Sequence, residues 1–74
     1  MVARNDEWAQ IQPAVRRLRE RDGLDSAGLR LDTSRASVDR WARGVCIPHP
    51  KTRARVAVCL EALGLLQEVR QDAP

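Results

Sequence analysis

The sequence predicts an all-α fold, a compact bundle of four to five short helices. Three observations predict it. Aromatic residues are scarce, with two Trp and no Tyr or Phe among 74 residues, so Leu, Val, Ile and Ala must build the core. Those residues, together with abundant Arg, favour helix over strand. Apolar positions recur three and four apart, and no segment alternates as a strand does. A chain this short is read as a single domain, 1–74. It buries a smaller share of its surface than a larger domain does and leaves little room for a deep reaction pocket, and no acid/base or nucleophile constellation is visible, so an enzyme is not expected.

The elements follow in order. "NDEWAQ" suits a short helix capped by Asn5 or Asp6, and "PAVRRLRERDG" suits one with Pro13 in its first turn and Gly23 as its stop. Trp8 and Ile11 extend the Val15 and Leu18 stripe backward, so the pattern leaves open whether Pro13 starts a helix or kinks one. Asp25 or Ser26 caps a helix of barely two turns with Ala27 and Leu31 on one face. Gly28 inside it costs about 1 kcal/mol relative to Ala, which points to close approach of another backbone. Asp32, Thr33 and Ser34 then mark a new start, with Ser34 as N-cap and Ser37 at its third helical position.

In the helix at about 35–43, Val38 and Trp41 share one side, with Ala42 and Val45 nearby. Ala36, Asp39, Arg40 and Arg43 occupy the other, and Arg35 the flank. Trp41 is read as a core anchor, Gly44 as the stop, and "VCIPHP" as an extended loop. Pro50 opens another helix, with Val56, Leu60 and Leu63 inward and Gly64 as its stop. "LLQEVRQ" adds a short last helix.

Charge is localised. Residues 34–55 carry six basic side chains against Asp39 alone, a net +5, whereas 1–33 balance and 56–74 sum to −2. A confined basic stripe is the electrostatic footprint of a nucleic-acid binder. Arg16, Arg17 and Arg19 are read as a solvated face paired with Glu20 and Asp22. Cys46, His49 and Cys59 make a poor ligand set, so no metal or cofactor is expected and the thiols are read as free. No apolar run approaches a membrane span and no leader peptide is visible, so a cytoplasmic location is expected.

Two short helices with a tight turn, the second with a polar outer face, form a helix-turn-helix pattern over residues 24–43. Gly28 holds the small fifth position, and Ala27, Leu31, Val38 and Trp41 hold the apolar ones. Asp32 stands where glycine is usual, in a left-handed turn that Asp tolerates, and Thr33 where an aliphatic residue is usual. "SRASVDRWARGVCIP" resembles the recognition-helix segment of Cro/cI-like (Xre-type) helix-turn-helix repressors, including the proline four residues after Gly44. The resemblance spans roughly 11–66. It is also similar to excisionase or MerR-like winged helices, but residues 49–64 lack the alternation of a hairpin wing.

The resemblance implies a lambda-repressor-like fold and a transcription regulator of double-stranded DNA, a Cro-like repressor of a phage or plasmid acting as a homodimer on a palindrome. It implies that 34–43 enters the major groove, with Arg35, Ala36, Asp39, Arg40 and Arg43 near bases. Asp39 either accepts from cytosine or orients Arg35 and Arg43. Ser34, Ser37, Lys51 and Arg53 would contact phosphates. Segment 63–70, with Leu65, Leu66 and Val69, is the candidate dimer contact, and Trp8 with Ile11 the second. No small-molecule effector is evident. The alternatives are a protein-binding helical module (an antitoxin or RNA-polymerase-binding factor) and an excisionase-like architectural DNA binder.

Overall fold

The computed structural model describes residues 3–72, as four helices: α1 Ala3–Leu31, α2 Arg35–Ala42, α3 Pro50–Ala62 and α4 Leu65–Asp72. No strand occurs among the described residues, and residues 50–62, where a wing would lie, are helical. α1 continues through Pro13 without a break in helical conformation. Proline gives up one helical hydrogen bond, and the carbonyl it leaves without a donor belongs to the exposed Ala9. The expected caps Asn5 and Asp6 lie inside this helix rather than before it. The true interruption is Gly23, at φ 85° and ψ 167°, which divides α1 into arms 3–22 and 24–31.

The long arm is the spine. Trp8, Ile11, Ala14, Val15 and Leu18 are buried along one stripe, and every other helix packs on α1. Ala27 and Leu31 from the short arm join them, as do Val38, Trp41 and Ala42 from α2 and Val56 and Leu60 from α3. Trp41 and Trp8 meet edge to face, their rings 6.3 Å apart and inclined at 79°. That geometry suits aromatic quadrupoles and closes the core between α1 and α2.

Three expectations are corrected here. Leu65 and Leu66 are buried in the chain's own core and Val69 packs against it, so segment 63–70 does not offer them to a second copy. Trp8 and Ile11 are buried in the same core. Val45, expected beside the α2 core stripe, is 63% exposed, because the chain turns away at Gly44.

The α1 arginines also pair differently from the expected local pattern. Arg17 and Arg21 both reach Glu68 of α4, at 3.5 and 3.4 Å. Arg19 reaches Asp39 of α2, and Asp22 pairs with Arg30 at 2.6 Å across the Gly23 break. The bundle brings distant carboxylates nearer than the neighbours in sequence. Each exposed pair contributes about 0–1 kcal/mol, so these pairs set orientation more than stability.

Candidate functional site

The site is built around the junction of the short α1 arm and α2. The arm ends at Asp32, whose φ is 54°. The Thr33 N–H donates to the Gly28 carbonyl at 2.8 Å and the Asp32 N–H to that of Leu29 at 3.3 Å. This nested pair of bonds is the glycine-type helix stop, with aspartate in the left-handed place. The turn folds back so tightly that a Cβ on Gly28 would lie 2.8 Å from the Thr33 carbonyl oxygen. The backbone approach inferred from Gly28 is therefore present, and its partner is the turn itself. Arg55 of α3 completes the junction. Its guanidinium donates to the carbonyls of Leu31 and Asp32, the latter at 3.1 Å.

α2 then starts where the serine pattern places it. Ser34 is the N-cap, and its Oγ accepts from the Ser37 N–H at 3.1 Å. The far end is secured from α1. Gln12 Nε2 donates to the carbonyls of Ala42 and Trp41, at 2.6 and 3.3 Å, and Arg16 Nε donates to Ala42 at 3.3 Å. Terminal helix carbonyls lack intrahelical donors, and here two side chains supply them. α2 is thus anchored at its start, along its buried face and at its end.

Its outer face is open. Arg35, Ala36, Arg40 and Arg43 are exposed, and Ser37 and Asp39 are half-buried. Asp39 accepts from Arg43 at 3.1 Å and faces Arg19 at 3.7 Å. Arg35 instead faces Asp25 of the α1 arm at 3.4 Å, so Asp39 orients Arg43 and not Arg35. Arg40 forms no ion pair or side-chain hydrogen bond with the described residues. The face therefore presents one unencumbered guanidinium between two that are held in place.

The two basic residues expected from α3 part company. Lys51 is exposed, and its backbone N–H is accepted by Nδ1 of the N-cap His49 at 3.4 Å. Arg53 is only 7% exposed and donates to the Pro48 carbonyl at 3.0 Å. This corrects its assignment as a phosphate contact: it is a strut between α3 and the preceding loop, its stem packed and its fork turned inward. Cys46 and Cys59 are free thiols.

Gln12 carried no expected role, Arg16 was expected on a solvated face, and Arg55 only as part of the basic stripe; the structure gives all three to main-chain carbonyls. These partners lie some 23 to 30 residues away, and side-chain periodicity carries no record of such bonds. Comparison of the chain with protein families, curated proteins and solved structures finds no match.

Proposed function

We propose that this chain is a helix-turn-helix module of the Cro/cI-like type that binds double-stranded DNA by laying α2 in the major groove. One observation carries the reading: α2 presents Arg35, Arg40 and Arg43 outward on a helix whose ends and inner face are fixed by other elements. A recognition helix needs that rigidity, because base contacts depend on placement while phosphate contacts set register. Arg40, exposed and without an ion pair among the described residues, is the best reader of a guanine edge. Arg43 is held by Asp39 at a fixed angle, and Ala36 leaves the N-terminal part of the helix narrow enough to enter the groove. Ser34 and Ser37 suit phosphate oxygens at the helix start. A repressor acting on a palindromic operator is the finer form of this proposal.

Fluorescence anisotropy with a labelled duplex tests it. Affinity should fall steeply with salt, with a log–log slope of about −0.9 for each phosphate neutralised. Arg40→Ala should lose ~1–3 kcal/mol of specific affinity, with the far-UV helical signal unchanged. Arg21→Ala removes the same charge at a Glu68 pair and should lose far less. Equal, small losses in both variants would contradict the assignment of α2.

A further inference from the structure

α3 turns a second face away from the core. Arg53, Val56 and Leu60 point inward and are buried. The opposite side carries Lys51, Ala54, Val58 and Glu61, all exposed, with Val58 open over 68% of its surface. These four are spaced three, four and three apart. At about 100° per residue they fall within an arc of roughly 80°, so they form one stripe. Neither Lys51 nor Glu61 makes an ion pair with the described residues.

The spacing is palindromic and the charges at its ends are opposite. We infer that this stripe pairs with the same stripe of a second copy, α3 running antiparallel to its counterpart about a two-fold axis that passes between Ala54 and Val58. Ala54 then lies against the partner's Val58, and Lys51 lies opposite the partner's Glu61. Each contact occurs twice, as an isologous interface requires. A parallel pairing is disfavoured because it would set Lys51 against Lys51 and Glu61 against Glu61. Ala54 is small enough for the axes to approach to the usual 8–10 Å. A groove of about 370 Å³ borders Val58 and Glu61 and is walled on its far side by Glu7, Ile11, Leu66 and Arg70, so the contact surface continues onto α1 and α4. α2 packs on α1 alone among the helices, and its outer face stays free in such a pair. Lys51 is thereby assigned to the partner and not to DNA.

The helix pair is short, about 20 Å for 13 residues, so association is expected to depend on concentration. Sedimentation equilibrium without DNA tests it independently of the proposed function. The mass should rise with concentration from 8.3 kDa toward twice that value. Val58→Lys should weaken association at least tenfold. Lys51→Glu and Glu61→Lys should each do the same, and the two together should restore it, with circular dichroism showing all variants folded. A chain that stays at 8.3 kDa at every concentration, an association indifferent to Val58→Lys, or a double swap that fails to restore it would each overturn the inference.

Discussion

Gly28 and Asp32 set the geometry of the site between them. The first lets the turn close on its own helix, and the second turns the chain through a left-handed conformation at φ 54°. A methyl group at Gly28 would meet main chain, which cannot rotate aside as a side chain can. Gly28→Ala should therefore destabilise the fold by ~1–3 kcal/mol, despite the better helix propensity of alanine, and thermal denaturation checks this. A melting temperature equal to or above that of the parent would show that the turn has slack. Gly28 was legible because glycine inside a short helix is costly and needs a cause. Arg53 was misread for the opposite reason: a basic residue near a helix start looks solvent-facing until the loop at Pro48 folds over it.

At the scale of elements, the helix starts and stops were the most readable features. Ser34 capped as its position implied, and Gly44 and Gly64 both ended helices at positive φ. The buried stripes were equally plain, since spacings of three and four residues mark one helix face. What sequence could not show was which helix covers which, because pairing is decided by the bundle. Leu65 and Leu66 looked like a surface awaiting a partner, yet α1 and α3 already cover them. The same limit hid Gln12, whose amide holds the end of α2. Gln12→Leu removes one donor from the Ala42 and Trp41 carbonyls, which keep Arg16 Nε and the Gly44 N–H, and should cost ~0.5–1.5 kcal/mol. It should also weaken any DNA binding by loosening α2. Denaturant titration beside anisotropy separates the two effects, and an unchanged midpoint would mean the Gln12 bonds are replaced by water at no cost.

Across the whole molecule, charge and core are arranged on different faces. α1 gathers the apolar stripes and ties α4 down through Arg17, Arg21 and Glu68. α2 rides on that spine with its arginines outward, and the stripe on α3 faces elsewhere. The basic excess of residues 34–55 was legible as a sum, but not its division into roles. In the fold, Arg53 and Arg55 brace the frame, Arg35 and Arg43 are tethered, and Arg40 makes no ion pair with the described residues. We propose that this frame presents α2 to a DNA sequence. Selection of bound duplexes from a random library, at roughly physiological ionic strength, tests it most directly. The proposal predicts an enriched site that Arg40→Ala no longer selects, with two half-sites about one helical turn apart if the chain binds as a pair. A library that emerges from selection unenriched would contradict it.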